Sequence, residues 1–514
     1  MRSKKAMYNI ISSLLLQVVV IISGFVVPKL IISSYGSDVN GLVSSITQFL
    51  AYISLLESGI GPVVKASLYK PISQKDNKTI KNILRASEKF FRLIAMIFIV
   101  YLIGLSLLYP LIVQKEFGYV YTLSLVLIIS VSTFFEYYFG MTYRLYLQAD
   151  QKTYITSFIQ IFTYILNIII VVIFVKLDFS IQVIKLLSGI VFILRPLIQN
   201  IYIKKKYNLN LKEADESYKL DKKWDGLAQH IAAVIHNNTD VTILTIFCKL
   251  SEVSVYSVYS LVTRGIKSIV SAFSGGIDAS FGDMIAKEEK EALNRSFSTY
   301  EFFYFTITTI CYACTLILIV PFITVYTKGI NDANYIRPLF GYLMVISEFL
   351  WAIRLPYSSI TLAAGHFKET RIGAWVEAIS NIVISLILVI KFGIIGVAIG
   401  TLIAMLIRTI EFIYHTNKYI LERNIFINIK KVLSIIFETI IIVLIVKLLP
   451  IDIKFNSYIN WIIYAIIVFI ISSIVTITIN LLVYRNDVKD LKRLLKNNFN
   501  KIFKRRSKKW KHIL

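Results

Sequence analysis

Long apolar runs recur along the whole chain, and this pattern constrains the fold more than any other feature of the sequence. A run of about twenty apolar residues predicts a helix that spans a bilayer, because a helix pairs its own backbone groups where water is absent. The chain is 56% hydrophobic and only 17% charged, unlike a typical soluble globular protein. We therefore predict an all-α polytopic membrane protein with about 14 transmembrane helices. The predicted spans are 9–34, 41–66, 91–114, 119–143, 154–175, 181–202, 226–248, 253–283, 298–326, 338–364, 372–390, 394–415, 432–449 and 458–484.

The net charge of +25 is spread unevenly over the predicted loops. Most Lys and Arg residues fall in the segments that share one side of the membrane with both termini. This bias is the positive-inside pattern, and it predicts that both termini are cytoplasmic. The positive segments would contact anionic membrane lipids, so no nucleic-acid partner is needed to explain the charge. The loops on the opposite side are short, at 34–40, 114–117, 176–180 and 391–393.

The two halves of the chain resemble each other at an offset of about 215 residues. Matched positions are Asn167 with Asn381, Arg195 with Arg408, and the glycine motif at 58–61 with that at 274–277. Each half has six predicted spans, so both enter the membrane in the same direction, which predicts a parallel repeat with its site between two lobes. The predicted organisation is an N-lobe at 1–203, a cytoplasmic linker at 204–225, a C-lobe at 226–418, two extra helices at 432–484 and a basic cytoplasmic tail at 485–514.

Polar residues inside the apolar stretch at 236–283 are the first candidates for a functional site. Arg264 and Lys267 are three residues apart, so they share one face of a helix, and Ser271 extends that face. A cation near the bilayer centre costs roughly 3 kcal/mol or more. Two hypotheses follow: a wet cavity whose cations bind a phosphate or pyrophosphate, or a buried ion pair, for example with Asp240.

Asp240 closes a helical turn that also contains Asn237 and Asn238, and a turn of this polarity cannot face lipid. Asp240 could bind a cation, transfer a proton, or pair with Arg264. In the first half of the chain, Glu57 lies in the second span beside Gly59-Ile60-Gly61-Pro62, which is either a kink or a site of close helix packing.

Two further cations lie in predicted spans. Arg354 lies two residues before Pro356 in the tenth span, which makes it a candidate substrate contact. Lys29 lies in the outer half of the first span, where it could face the cavity or extend to the interface.

Several chemistries have no support in the sequence. There is no Walker-type phosphate loop, no His-Glu-x-x-His metal motif and no long outer loop that could hold a glycosyl-transfer site. Cys311 and Cys314 form a C-x-x-C within an apolar run, where a packing role is the expected one. We predict neither enzymatic activity nor a cofactor nor a bound metal.

The arrangement of six, six and two spans resembles the polysaccharide-biosynthesis flippases of the multidrug/oligosaccharidyl-lipid/polysaccharide exporter superfamily. The segment Asn237–Asp240 followed by Val253–Tyr259 carries most of the local similarity. The resemblance implies that undecaprenyl-diphosphate-linked oligosaccharide repeat units are moved from the inner to the outer leaflet by alternating access of two lobes. It also implies a cationic central cavity, which Arg264 and Lys267 would supply.

Site roles follow as expectations from the resemblance and the polar positions together. The expected diphosphate ligands are Arg264, Lys267, Arg354 and Lys29. The expected ion-coupling or gating residues are Asp240, Glu57 and Asp278. The expected cavity-lining residues are Asn237, Asn238, Gln48 and Ser271.

The same resemblance implies a bacterial cell membrane as the location, with a polysaccharide polymerase and glycosyltransferases as partners. The alternative function is an ion-coupled exporter of small amphipathic or cationic molecules. The first span has no acid, which such exporters often carry, and a positively lined cavity would repel cations. The glycan, whether capsule, exopolysaccharide or another polymer, and the coupling ion stay open.

Overall fold

The computed structural model is helical throughout the residues it describes. These are residues 2–57, 59–207, 214–215, 218, 227–274, 277–449, 453–485, 487–489 and 492–493. The predicted linker and the basic tail therefore lie largely outside the described residues. The chain forms two compact units. The first unit comprises Met1–Leu261, Gly329–Tyr335 and Ala374–Thr401, and the second comprises Val262–Lys328, Ile336–Gly373 and Leu402–Leu514.

Eighteen α-helices lie in the described residues. The first ten are α1 Arg2–Tyr35, α2 Ser37–Ala51, α3 Ser54–Glu57, α4 Ile60–Gln74, α5 Asn77–Ile112, α6 Tyr119–Phe135, α7 Met141–Ala149, α8 Thr153–Lys176, α9 Ile181–Tyr207 and α10 Leu227–Phe247. The remainder are α11 Leu250–Ala272, α12 Ile277–Ala286, α13 Lys290–Tyr326, α14 Pro338–Ala363, α15 Arg371–Phe392, α16 Ile394–Tyr419, α17 Phe426–Leu448 and α18 Tyr458–Val483.

The length of the helices and their exposed apolar side chains are those of a multi-pass membrane protein. Within the described residues, 11 helical segments are long and apolar enough to cross a membrane. Large apolar side chains point outward, with Leu448 81% and Ile390 77% exposed, which water would disfavour and lipid accommodates. The other three predicted spans correspond to α10, α11 with α12, and α17, so the count of fourteen stays a prediction.

The helices are interrupted near the glycine motif at 58–61. The second predicted span is divided into α2, α3 and α4, and Gly59 precedes α4 with φ +80°. That angle favours glycine because it has no Cβ. The eighth predicted span was expected to be one helix over 253–283, and this was wrong: α11 ends at Ala272 and α12 begins at Ile277.

A π-helical turn, Glu136–Gly140, joins α6 to α7 within the fourth predicted span. It places Glu136 and Tyr137 on the wall of a cavity in the first unit. Such turns occur mostly as single insertions within α-helices and often at functional sites.

Acidic side chains accept hydrogen bonds from the N-terminal residues of two helices in the first unit. Asp332 accepts hydrogen bonds from the Ser37 backbone N–H at 2.6 Å and the Ser37 hydroxyl at 2.8 Å. Glu116 accepts from the backbone N–H of Leu250 at 3.0 Å. Each contact pairs an N–H group that a helix start leaves unsatisfied. Gly41 lets α2 approach α11 closely, since a Cβ there would lie 1.8 Å from the Leu250 carbonyl oxygen.

Asp150, in the turn between α7 and α8, contacts three polar side chains. Its carboxylate lies 3.3 Å from Lys5 Nζ and 2.5 Å from Lys152 Nζ, and it accepts a hydrogen bond from the Tyr207 hydroxyl. Burial alone would raise the pKa of Asp150, but the hydrogen bonds from Lys152 and Tyr207 outweigh it and lower the pKa below 3.8. The cluster connects the starts of α1 and α8 with the end of α9.

A buried acidic residue, Glu301, organises the second unit. Its side chain is 0% exposed and bonds to groups from α14, α17 and the turn after α16. The contacts are Lys431 Nζ at 2.7 Å, Asn428 Nδ2 at 2.6 Å, Arg423 Nη2 at 3.1 Å and the Tyr357 hydroxyl. We call these five residues the Glu301 cluster. Nearby, Cys314 packs against Val446 and Val468 and donates to Ser472 Oγ at 3.4 Å, as a packing role requires.

Candidate functional site

Lys267, on α11 in the second unit, has two partners on α14. Its Nζ lies 3.0 Å from Glu348 Oε2 and 4.2 Å from the centre of the Trp351 ring. Arg354 follows these two residues at a helical spacing of three, so all three share one side of α14. The ammonium of Lys267 is thus partly neutralised and also in contact with an aromatic face.

Arg264 lies 14 residues into α11, about 21 Å along the helix at 1.5 Å per residue. Its side chain is exposed, and it forms no hydrogen bond or ion pair with any residue that the structure describes. The ion-pair alternative is therefore not observed for this arginine. An exposed guanidinium in the middle of a helix bounded by apolar residues needs either water or an anionic ligand.

Asp240 is 3% exposed and lies within a cluster of hydroxyl and amide groups in the first unit. Its Oδ2 accepts from the Tyr256 hydroxyl at 2.9 Å and from the Thr401 hydroxyl at 2.8 Å. Asn381 Nδ2 donates to the same Thr401 oxygen at 3.0 Å. One carboxylate surrounded by neutral oxygens can take up a proton or hold a hard cation.

Asn238 and Gln48 contact each other through their side-chain amides. They belong to a row of polar contacts along α2. The other contacts of this row are Asn40 with Ser254 at 2.7 Å, Ser45 with Thr245 at 2.7 Å and Tyr52 with Thr242 at 2.9 Å. Neutral hydrogen bonds between helices in a membrane contribute about 1 kcal/mol each, so this seam can open more readily than ion pairs would.

Glu57 lines a cavity of about 320 Å³ in the first unit. The Tyr137 hydroxyl donates to Glu57 at 3.4 Å, and Glu136 forms an ion pair with Arg144 at 2.9 Å. Arg195 also lines this cavity, with its guanidinium about 4.3 Å from the Tyr164 ring centre. The cavity therefore joins two acids, two arginines and several hydroxyls.

A second cavity, of about 700 Å³, shares Ser132, Thr133, Tyr137 and Phe192 with the first. Among the described residues that line it, Lys185 is the only charged one. Pro28 lines this cavity, whereas its neighbour Lys29 does not.

The other expected site residues are distributed as follows. Ser271 donates its hydroxyl hydrogen to the carbonyl oxygen of Lys267 at 2.6 Å, within its own helix. The side chains of Asn237 and Asp278 lie outside the described residues.

Sequence reasoning missed Lys185, Gln199 and the acidic centre of the Glu301 cluster. Lys185 was passed over because a lone lysine four residues into a helix resembles an interfacial flank. The spacing of Glu136, Arg144 and Arg195 along the sequence does not indicate that they share one cavity.

Comparison with solved structures shows the fold. The chain is similar to a lipid II flippase, MurJ, in an inward closed conformation, with a TM-score of 0.67 and 17% identity over 91% of this chain and 98% of that one. It is also similar to an inward-facing multidrug resistance transporter of the MATE family, with a TM-score of 0.60 and 14% identity over 77% of this chain and 94% of that one.

A third similar structure is a transporter of the MOP superfamily from Pyrococcus furiosus, for which a binding pocket of reversed polarity is described. Its TM-score is 0.52 and its identity 14%, over 82% of this chain and 95% of that one. No protein-family model and no characterised sequence matches the chain significantly. The chain thus has the fold of the MOP-superfamily transporters.

Proposed function

We propose that the chain is a flippase that moves undecaprenyl-diphosphate-linked oligosaccharide repeat units from the inner to the outer leaflet for cell-surface polysaccharide biosynthesis. The observation that carries this proposal is the exposed guanidinium of Arg264, which has no partner among the described residues, on a chain whose fold is similar to that of a lipid II flippase over 91% of its length. Lipid-linked diphosphates bring the compact negative charge that such a group can bind.

The charges on α11 and α14 suggest an order of contacts. A guanidinium matches phosphate oxygens bidentately and stays charged, so Arg264 is the first diphosphate ligand. Lys267 is held by Glu348, and a phosphate would have to displace that carboxylate. Competition of this kind keeps affinity moderate, which a transporter needs in order to release its substrate. Arg354 and Lys29 complete the proposed set of ligands.

Alternating access would use the N-lobe at 1–203 and the C-lobe at 226–418. Transport against a gradient needs a driving ion, because the sequence has no nucleotide-binding motif. Asp240 suits this role, since a bound proton or cation can replace the hydrogen bonds that its carboxylate now accepts from the Tyr256 and Thr401 hydroxyls. Glu57 and Asp278 are the further candidates for coupling or gating.

An exporter of small cationic or amphipathic molecules is the second candidate. The acids Glu57 and Glu136 in the cavity of the first unit favour it, as does the similarity to MATE-family structures. The two candidates differ in the charge of the substrate, which makes them separable by one assay.

The decisive experiment uses the full-length protein in liposomes that contain a fluorescent undecaprenyl-diphosphate disaccharide. A membrane-impermeant quencher reports the label that reaches the outer leaflet. We expect rapid exchange with the wild type, at least a tenfold slower rate with Arg264→Gln, and no change with Lys418→Gln. Lys418 is the matched control because it is an exposed cation of the same unit.

A fluorescent cationic dye in the same liposomes tests the exporter. Wild-type liposomes that move the dye but leave the disaccharide lipid in place would refute the flippase assignment. Equal exchange by wild type and Arg264→Gln would remove Arg264 from the substrate path.

A further inference from the structure

The two cavities of the first unit form one continuous polar recess, because they share Tyr137, Phe192, Ser132 and Thr133. Their volumes, about 700 Å³ and about 320 Å³, lie in the range of small-molecule sites. Helices α1, α2, α3, α6, α7, α8 and α9 and the π-helical turn contribute the walls. We call this the first-unit recess.

Three polar atoms in this recess have no hydrogen-bond partner in the part of the chain that the structure describes. They are Asn167 Oδ1, Gln199 Oε1 and Arg195 Nη2. Asn167 is 5% and Gln199 1% exposed. A buried polar atom without a partner costs about 1–3 kcal/mol, and packing alone gives no compensation. The recess thus offers two acceptors and one cationic donor to a ligand that has both donor and acceptor groups.

Lys185 indicates the sign of the charge that such a ligand carries. Its Nζ has neither a hydrogen-bond nor an ion-pair partner among the described residues, although it lines the larger cavity. The acids of the smaller cavity are engaged, since Glu136 pairs with Arg144 and Glu57 accepts from Tyr137. Three cations, Lys185, Arg144 and Arg195, and two acids line the recess, and Glu57 accepts only from a neutral hydroxyl, so the formal charge of the lining is +1.

We infer that the first-unit recess binds the sugar part of the transported lipid, with Lys185 contacting an acidic group on the sugar. Ring hydroxyls supply donors to Asn167 and Gln199 and acceptors to Arg195, which no single ion or apolar drug does. A carboxylate on the sugar matches Lys185. This inference rests on the proposed function and adds to it that the glycan is acidic.

The test measures binding of three probes to the full-length protein in detergent. The probes are farnesyl diphosphate, a farnesyl-diphosphate disaccharide ending in glucose, and the same disaccharide ending in glucuronic acid. We expect the wild type to bind the glucuronic acid probe most tightly. Lys185→Gln should weaken that probe about tenfold and leave the other two unchanged, whereas Lys176→Gln, at an exposed lysine of the same unit, should change none.

Other outcomes separate this inference from the proposed function. If Lys185→Gln weakens all three probes equally, Lys185 contacts the diphosphate and the inference is wrong. If it changes no probe while Arg264→Gln weakens all three, the inference fails and the flippase proposal stands. If the wild type binds none of the probes, both fail.

Two more variants guard against an effect on folding. Lys185→Arg keeps the positive charge and should retain the preference for the glucuronic acid probe. Asn167→Leu keeps the volume but loses the acceptor, so it should weaken both disaccharide probes and spare farnesyl diphosphate. Thermal unfolding of each variant establishes that it is folded. A preference for the acidic probe that persists in Lys185→Gln, or unchanged binding of both disaccharide probes by Asn167→Leu, would overturn the inference.

Discussion

The Glu301 cluster of the second unit and the recess of the first unit are both polar regions among apolar helices, yet they are built in opposite ways. Glu301 is fully buried and has two cations, an amide and a hydroxyl within hydrogen-bond distance. In the recess, Lys185 has no partner among the described residues, and buried atoms of Asn167 and Gln199 have none either. Asn428 Oδ1 of the Glu301 cluster also lacks a partner among the described residues, so the contrast lies in the charges. Glu301 is paired with two cations that hold helices together, whereas Lys185 has no anionic partner in the part of the chain that the structure describes.

The predicted repeat sharpens this contrast, because it matches Arg195 with Arg408. Arg408 is 1% exposed, forms an ion pair with Glu411 and donates to the Thr370 carbonyl oxygen at 3.0 Å. Arg195 donates to Thr163 at 2.7 Å, contacts two aromatic rings and keeps Nη2 unpaired. Matched positions of the two halves thus have different electrostatic surroundings.

Replacement of the central acid should have the largest effect. Glu301→Gln leaves Arg423 and Lys431 without their carboxylate, so we expect a loss of about 3–5 kcal/mol in the free energy of unfolding. Thermal unfolding of the purified protein measures it. Glu422→Gln is the control, because Glu422 pairs with Lys290 at 2.7 Å on an exposed surface and should matter little. Equal stability of the Glu301 and Glu422 variants would contradict the structural role of the cluster.

The arginine pair should show an intermediate effect. Arg408→Gln removes a buried charge-assisted hydrogen bond to Glu411, and we expect a loss of about 2 kcal/mol in the free energy of unfolding. Arg195→Gln removes a cation that has no anionic partner, so it should cost less than half as much. The same thermal assay compares the two variants. A larger loss in the free energy of unfolding for Arg195→Gln than for Arg408→Gln would show that Arg195 stabilises the fold, and it would contradict the contrast drawn between the two arginines.

The turn cluster at Asp150 should show the smallest effect and a dependence on pH. Asp150→Asn should cost about 1 kcal/mol at neutral pH. Because the folded-state pKa lies below 3.8, this contribution is present above that pH and is lost as the pH falls through the folded-state value. Melting temperatures of wild type and variant should therefore differ at pH 7 and converge as the pH falls through the folded-state pKa. A difference that grows on acidification would reverse the assigned sign.

The sequence predicted the class of fold and several polar positions, because apolar runs and isolated charges are local signals. It indicated Arg264, Lys267 and Asp240 in this way. It could not predict partners that lie far apart in the chain: Lys431 is 130 residues from Glu301, and Glu348 is on a different helix from Lys267. Lys185 was not predicted because the cavity that it lines is formed only by the tertiary packing of helices.

The π-helical turn at Glu136–Gly140 has an evolutionary consequence. A turn of this kind holds one residue more than the α-helical turn it replaces, so a single inserted codon can produce it. Deletion of one codon there would rotate everything beyond it by about 100° and carry Arg144 away from the recess. One mutation can therefore change which side chains line the recess, while the apolar surface of the helix changes little in composition.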